Sequence, residues 1–306
     1  MMYEDLPYSY DAWELSVYHK DKKYKIDEVV SYKPISEGAR AGFEVVKRFR
    51  NSTITQRIYL YNELDRIDFD TVIDWHLRHI MVKAAFPVDV NTNKATYEIQ
   101  FGNIERSHTE NTSWDVARFE TCAHKWVDIS DNGYGMALMN DCKYGYSVVD
   151  DSTLQLSLMR SGNSSSEEVN DQGEHIMSYS IIPHKGDYMD ADIVRKAYAF
   201  NNPMTARELN NADGELEQSF SLVNTESENI VIDTVKKAEN NDNTVFRLYE
   251  SQNKKGKVKL TFGVDVKKLY LCDLLENIEK EVEVKDNTVE LTVKNFEIVT
   301  LMAEIR

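Results

Sequence analysis

Along most of the chain, apolar and polar residues alternate with a period of two. The alternation is clear in residues 67–73, where Ile67 and Phe69 are interleaved with acidic residues. The next apolar residue, Val72, comes one position later than strict alternation requires. Such alternation predicts strands with one buried and one solvated face, which is typical of antiparallel sheets. The strands predicted in the first part of the chain are residues 26–32, 41–49, 53–61, 67–75, 77–90, 154–159 and 175–183.

One helix follows these strands. Apolar side chains recur at helical spacing within residues 190–201, and Pro203 ends the pattern. Because no helical pattern separates the strands before it, the sequence excludes βαβ units and predicts a mainly β, antiparallel sandwich. The apolar face of the helix consists of Ile193, Val194, Ala197 and Tyr198.

Composition divides the predicted fold into two domains. Residues 203–222 are acidic and polar, which indicates a linker. We assign residues 1–222, including this linker-like stretch, to a large β-sandwich domain, and residues 223–306 to a small C-terminal β-sandwich domain. The strands predicted in the second domain are residues 231–235, 245–249, 258–262, 289–293 and 298–302.

The N-terminal segment is unusually aromatic. It carries Tyr8, Tyr10 and Trp13, whereas natural termini are usually polar and loose. This composition predicts that the chain is cut from a longer protein. We expect these side chains to belong to an apolar surface that the missing part covers.

A strand in the middle of the chain ends in a polar turn. The alternation of residues 134–139 stops where the turn begins, and glycines flank the turn. Turn residues are often polar for backbone reasons alone, but a strand tip can also present polar groups to a ligand. Both interpretations stay open from the turn alone. Its polar side chains are Asn140, Asp141, Lys143 and Tyr144.

Charge and cysteine content limit the partners and the compartment. The 306 residues include 36 Lys plus Arg and 52 Asp plus Glu, a formal net charge of −16, which argues against nucleic acid and anionic membranes as partners. Cys122, Cys142 and Cys272 are too few for a disulfide framework and predict a cytoplasmic location. The sequence contains no apolar run of the ~20 residues that a membrane helix needs, and no signal-peptide pattern.

Motifs of several enzyme classes are absent from the sequence. It has neither a glycine-rich phosphate loop nor a Gly-x-Ser-x-Gly motif. His76 and His79 come nearest to a metal-binding pair, but on a strand they would point to opposite faces, so we predict no metal site. Trp114 and Trp126 could stack on sugar rings, although tryptophan in a sandwich more often belongs to the core.

Several dense motifs occur in order along nearly the whole chain. They include Asp74-Trp-His, Asn111-Thr-Ser-Trp-Asp, Ala123-His-Lys-Trp, Asn140-Asp-Cys-Lys-Tyr-Gly-Tyr, Asp171-Gln-Gly-Glu-His and Asn295-Phe-Glu-Ile-Val-Thr-Leu. In sequence and spacing, these motifs resemble the C-terminal part of family 38 α-mannosidases, and most of all the bacterial and vacuolar branch of that family.

The resemblance implies an activity that this chain does not carry alone. Enzymes of that family are retaining exo-glycosidases that remove α-linked mannose with a carboxylate nucleophile and one divalent metal, usually zinc. Their nucleophile, acid/base and metal ligands lie in an N-terminal barrel followed by a helical bundle, and the chain matches neither. We therefore expect no catalytic residue and no cofactor in this chain, with its own barrel and helical domain as partners and mannosides as the substrate.

The resemblance also implies a fold and a site. The large sandwich of the family resembles the galactose-mutarotase-like supersandwich of aldose epimerases, and its loops reach the substrate cleft. By that analogy, Lys143 could supply a cation to substrate hydroxyls or catalytic carboxylates, while Asn140 and Asp141 could orient it or bind sugar. The candidates for the substrate cleft are Asn140, Asp141, Lys143, Tyr144, Asp171, Glu174 and His175, with Trp114 and Trp126 for sugar stacking.

Two other functions stay open. A free-standing carbohydrate-binding module would use exposed Trp114 or Trp126 as a sugar platform. An aldose-epimerase-like enzyme would need a His/Glu pair inside a concave sheet, for which Glu174, His175 and His124 are the local candidates. Adjacent strand residues face opposite ways, so Glu174 and His175 could not easily act together. The mannoside linkage is not encoded in any recognisable motif, and a homo-oligomer is left open.

Overall fold

The computed structural model describes residues 1–10, 13–150, 152–162, 171–208 and 219–305. Within these residues the protein consists of antiparallel strands, two short α-helices and one turn of 3-10 helix at Val17–Asp21. The predicted mainly β fold is therefore confirmed. The predicted linker 203–222 lies partly outside the described residues. No helix in the described ranges is long and apolar enough to cross a membrane.

The first compact unit comprises Met1–Glu98 and Ile104–Pro203. The strands up to residue 185 are β1 Met2–Glu4, β2 Lys23–Tyr24, β3 Val29–Glu37, β4 Arg40–Phe49, β5 Ser52–Tyr61, β6 Ile67–Trp75, β7 Ile80–Pro87, β8 Lys94–Ile99, β9 Gly102–Ser107, β10 Thr121–Cys122, β11 Trp126–Ser130, β12 Tyr134–Asn140, β13 Gly145–Val149, β14 Thr153–Ser161 and β15 Gly173–Lys185. The helices are α1 Ser113–Val116 and α2 Ile193–Asn201.

These strands form two sheets. The larger sheet has the order β3-β4-β5-β6-β15-β12-β11-β8-β9, and the smaller one has the order β10-β13-β14-β7-β1-β2. The core joins their facing sides, with Ile73 and Leu138 from the larger sheet packed in one cluster with Val82 and Leu154 from the smaller sheet. Burial of each such side chain contributes about 1.5–3 kcal/mol. The alternation in the sequence thus places the core between two sheets.

Helix α2 covers part of the outer face of the larger sheet, where it contacts β11 and β12. Of the predicted apolar face, Ile193, Val194 and Ala197 are buried, whereas Tyr198 is half-buried. The helix ends at Asn201, shortly before Pro203.

The second compact unit comprises Ile99–Asn103 and Met204–Arg306. Its strands are β16 Val223–Thr225, β17 Ile230–Lys237, β18 Thr244–Glu250, β19 Gly256–Phe262, β20 Val266–Cys272, β21 Ile278–Val282, β22 Thr288–Val293 and β23 Ile298–Ile305. They form a five-stranded sheet of order β17-β18-β23-β20-β21 and a three-stranded sheet of order β16-β19-β22. The core contains Phe246 and Leu301 from the first sheet and Val258 and Val289 from the second.

The division of the chain differs from the predicted boundary at residue 222 in two respects. The second unit begins at Met204, and it includes the short segment Ile99–Asn103. Two contacts hold that segment: the Asn103 side-chain amide donates to the Ser251 carbonyl at 2.8 Å, and the Phe101 ring packs edge-on against Tyr249 with centroids 5.5 Å apart.

Candidate functional site

The strand-tip turn, residues 140–146, is organised by a buried asparagine. The Asn140 side chain is 1% exposed, and its amide nitrogen donates to the His124 carbonyl at 2.9 Å and to the Tyr146 hydroxyl. Its amide oxygen accepts from the backbone nitrogens of Cys142, at 2.9 Å, and Lys143. These four bonds use the full capacity of an asparagine side chain. Asn140 therefore shapes the turn and has no group left for a sugar hydroxyl.

Asp141 fastens the turn to the neighbouring strand β15. Its backbone nitrogen donates to the Ser178 carbonyl at 3.2 Å, and its carboxylate accepts from the Ser178 nitrogen at 2.9 Å. The Ser178 hydroxyl in turn donates to Asp70 on β6 at 2.9 Å. One carboxylate oxygen of Asp141 is thus bonded to strand β15, so Asp141 fixes the position of the turn.

Lys143 and Tyr144 are the turn residues whose polar side-chain groups could contact a ligand. In the described part of the chain, no carboxylate lies within ion-pairing distance of the half-buried Lys143 ammonium. Tyr144 is 59% exposed, and its ring stands edge-on to His124 with centroids 5.5 Å apart. Cys142 lies between Asp141 and Lys143 in the chain. Burial and the Asp141 carboxylate raise the pKa of Cys142 to about 11, so its thiol is protonated at neutral pH. The turn can therefore offer a cation and a phenol, but no thiolate.

An ion pair between half-buried Lys125 and buried Glu98 lies next to the turn, since the Lys125 carbonyl accepts from the Asn140 backbone nitrogen. Glu98, 3% exposed on β8, accepts from the backbone nitrogen of Lys125 at 2.8 Å and from its ammonium at 3.3 Å. The His124 ring nitrogen lies 3.6 Å from the same carboxylate, and the Lys125 ammonium lies 4.6 Å from the centre of the Tyr198 ring. The structure thus pairs His124 with Glu98, a partner that was not anticipated for it.

The second predicted loop does not meet the turn. The Asp171 carboxylate accepts from the Arg160 backbone nitrogen at 3.2 Å, and its carbonyl accepts from the His175 ring at 2.8 Å. Asp141 is level with Ser178 on β15, whereas Glu174 lies four residues further along the strand, or about 13 Å at the usual rise. Asp171 and His175 therefore order their own loop, and Glu174 is an exposed residue at a separate place.

The two candidate tryptophans occupy opposite environments. Trp126 is 1% exposed and stacks on Tyr188 with ring centroids 5.0 Å apart, so it has no surface on which a sugar could lie. Trp114 is 79% exposed on α1, whose first turn is closed by a reciprocal Thr112–Asp115 capping box. Of the two, only Trp114 presents its indole to solvent.

Sequence reasoning missed a polar cavity in the first unit. Its floor includes Lys83, Ser147 and Gln155, which are all buried. Lys83 interrupts the apolar run Ile80–Phe86. A lysine within such a run is the signal that could have found this cavity, since charged residues are rarely buried without a partner.

The N-terminal aromatic residues are exposed, as the sequence suggested. Tyr8, Tyr10 and Trp13 all stand at the surface, and the last two line an open groove with Leu15 and Phe119. In the described residues, no three His, Cys, Asp or Glu side chains are grouped so that they could hold a metal ion. Zinc stays an expectation for the predicted N-terminal barrel.

Comparison with known proteins identifies the family. The model of the glycosyl hydrolases family 38 C-terminal domain matches residues 1–168, more than half of the chain, and the family 38 C-terminal beta sandwich domain matches residues 229–301. The chain belongs to glycosyl hydrolase family 38. Both matches are to C-terminal domains, so the chain represents the C-terminal region of that family.

The relatives of this family 38 chain are much longer proteins. Alpha-mannosidase 2C1 of Homo sapiens is 35% identical over 310 residues, covering 99% of this chain and 29% of that protein. Alpha-mannosidase G of Dictyostelium discoideum is 32% identical, covering 98% of the chain and 28% of that protein. An alpha-mannosidase structure from Enterococcus faecalis V583 matches 91% of the chain with a TM-score of 0.78 at 18% identity, covering 35% of that structure; it supports the fold. The chain thus spans less than a third of the length of the Homo sapiens and Dictyostelium discoideum proteins.

Proposed function

We propose that this chain is the C-terminal, non-catalytic region of a retaining α-mannosidase that removes terminal α-linked mannose. The observation that carries the proposal is the match over nearly the whole chain to two proteins named as alpha-mannosidases. In this proposal the nucleophile, the acid/base and a zinc ion belong to an N-terminal barrel, which is the partner of this chain. The sparse, unpaired cysteines support a cytoplasmic location for the whole enzyme.

Within that enzyme, the strand-tip turn supplies a positive charge at the substrate cleft. The support is local: Asn140 and Asp141 hold the turn through six hydrogen bonds, and Lys143 keeps its ammonium without a carboxylate partner among the described residues. A cation held on a rigid strand end loses little entropy when it meets a hydroxyl or carboxylate. The turn therefore suits substrate contact better than the Asp171–His175 loop.

The test compares this chain with the intact protein encoded by its extended reading frame. We expect the intact protein to hydrolyse p-nitrophenyl α-mannoside, with the α-anomer as the first product in an NMR time course. Chelation should abolish the activity, and zinc should restore it. The chain alone should release p-nitrophenol at the buffer rate. Hydrolysis by the chain alone, in a preparation shown to be free of host mannosidase, would overturn the proposal, as would an intact protein that yields the β-anomer first.

A further inference from the structure

A cavity of about 750 Å³ opens on the outer face of the smaller sheet, away from the core. Lys83 and Gln155 lie on its floor. Their neighbours along the strands, including Val82 and Leu154, point into the core, so alternation directs Lys83 and Gln155 to the opposite face. The volume falls within the usual range for small-ligand sites.

The floor is a connected chain of hydrogen bonds. The Lys83 ammonium donates to Glu120 at 2.6 Å and to the Ser147 hydroxyl at 3.3 Å. Ser147 donates to the Gln155 oxygen at 3.2 Å, and the Gln155 nitrogen donates to the Tyr3 hydroxyl at 2.8 Å. Among the described residues, neither the third N–H of Lys83 nor the hydroxyl proton of Tyr3 has an acceptor. The floor therefore keeps two donors for a ligand.

Gly145 makes room for the carboxylate that neutralises Lys83. A Cβ at this position would lie 2.9 Å from a Glu120 carboxylate oxygen and 3.2 Å from the Ser157 side chain. Without it, Glu120 reaches over β13 and accepts from both Ser157 and Lys83. The buried lysine is therefore fully compensated, and the floor as a whole carries no net charge.

One wall of the cavity supplies an acceptor and an apolar surface. His19 donates from its Nδ1 to the Ser16 carbonyl at 2.7 Å, because a carbonyl can only accept. Burial lowers the pKa of His19, so its ring is neutral at pH 7 and Nε2 is an acceptor. Phe119 packs edge-on against this ring with centroids 5.2 Å apart and is itself half-buried. The wall thus combines an acceptor with an aromatic ring.

The basic residues at the rim are matched by acids. Lys20 pairs with Glu110, Lys23 pairs with Asp150 at 3.1 Å, and Arg118 lies 3.7 Å from Asp115. Such exposed pairs add little stability, but they cancel the positive potential that an anion would need. The cavity therefore favours a neutral ligand over a phosphate or a carboxylate.

We propose that this cavity binds a neutral, polyhydroxylated ligand, namely a short oligosaccharide, at a site separate from the strand-tip turn. Sugar hydroxyls both donate and accept, which suits the donors of Tyr3 and Lys83 and the acceptor of His19, and the C–H faces of a sugar pack on an aromatic ring such as Phe119. The site lies wholly within the first unit of this chain. The site itself does not rest on the proposed catalytic activity, but the choice of a mannose oligosaccharide as its ligand rests on the proposed function.

The test is a calorimetric titration of the 306-residue chain with α-linked mannotriose. Asn91 lines the mouth of the cavity, and Asn91→Trp should block entry and remove the binding. Tyr3→Phe deletes one donor and should weaken binding about threefold to tenfold, which corresponds to one net hydrogen bond. The matched controls are Asn62→Trp and Tyr32→Phe, at exposed positions outside the cavity, and both should bind as the unmodified chain does. The denaturant midpoint of each variant shows that it is folded.

Three results would overturn the site. They are no heat of binding with the unmodified chain, binding that Asn91→Trp leaves unchanged, and binding of inorganic phosphate where mannotriose does not bind. The titration needs no hydrolysis, so binding by this chain together with an inactive intact protein would refute the proposed function and leave the cavity site standing.

Discussion

The strand-tip turn predicts a large stability loss from one substitution, Asn140→Ala. The change removes all four side-chain hydrogen bonds of Asn140. Tyr146 keeps its second bond, to the His124 carbonyl at 3.2 Å, and water can reach part of the turn to satisfy the freed backbone groups. At about 1 kcal/mol for each net hydrogen bond, and more for a buried group left unpaired, we expect a loss of about 2–4 kcal/mol.

Tryptophan fluorescence during urea unfolding isolates this effect. The chain has four tryptophans, Trp13, Trp75, Trp114 and Trp126, and all of them belong to the first unit. The signal therefore reports on the unit that contains the turn, and unfolding of the second unit does not contribute to it. Asn62→Ala is the matched control, because Asn62 is exposed and surface changes usually cost under about 0.5 kcal/mol.

One outcome would refute the reasoning about the turn. If Asn140→Ala and Asn62→Ala shifted the free energy of unfolding equally, within about 0.5 kcal/mol, the four bonds of Asn140 would not hold the turn. The claim that Lys143 stands on a rigid strand end would then fail as well.

Three further predictions concern other parts of the first unit. Gly135→Ala should destabilise it by about 1–3 kcal/mol in the same assay, because a Cβ would lie 2.5 Å from the His184 ring and 2.6 Å from Ser130; an unchanged midpoint would contradict that packing. Burial works to lower the pKa of His184, but its 2.7 Å bond to Asp128 prevails and raises it. The His184–Asp128 pair therefore stabilises the folded protein fully below the unfolded pKa of about 6.5. This stabilisation is lost as the pH rises through the higher pKa of the folded protein. In the His184→Gln variant, the urea midpoint should no longer fall as the pH rises through this range. The same pH profile for the variant and the unmodified protein would contradict the role of His184. Trp114→Ala should leave the midpoint within about 0.5 kcal/mol but weaken retention on immobilised mannan if the indole stacks on sugar; equal retention would exclude that role.

The sequence predicts many strands of the first unit because apolar and polar residues alternate along them, but the alternation alone does not decide which face is buried. In β6 the structure buries Asp68, Thr71, Ile73 and Trp75, whereas Ile67, Phe69 and Val72, which the pattern placed on the buried face, are half-buried. The strand β20 was not predicted, since Lys267 and Lys268 interrupt its apolar positions, and one of its partners, β21, is mostly exposed. Local pattern detects a strand only when one of its faces is buried along its length.

Long-range contacts explain what the sequence could not predict. The turn was visible as a cluster of polar residues, but only the fold shows that Asn140 is buried against His124 and Tyr146. Likewise, Lys83 and Glu120 lie 37 residues apart and meet across β13, where Gly145 leaves space for the Glu120 carboxylate. Residue type signals a site, and the pairing of strands decides which residues share it.

The measurement that tests the account most directly is kcat/KM of the intact protein with Lys143→Ala. Lys257→Ala is the matched control, because Lys257 is an exposed lysine on β19 in the second unit. If the turn meets the substrate cleft, Lys143→Ala should lower kcat/KM by about ten- to a thousandfold, or roughly 1.4–4 kcal/mol, as expected for loss of a positioned charged contact. Its unfolding midpoint and the kcat/KM of Lys257→Ala should stay near those of the unmodified protein. Kinetics unchanged by Lys143→Ala would contradict the account and reduce the turn to a connection between two strands.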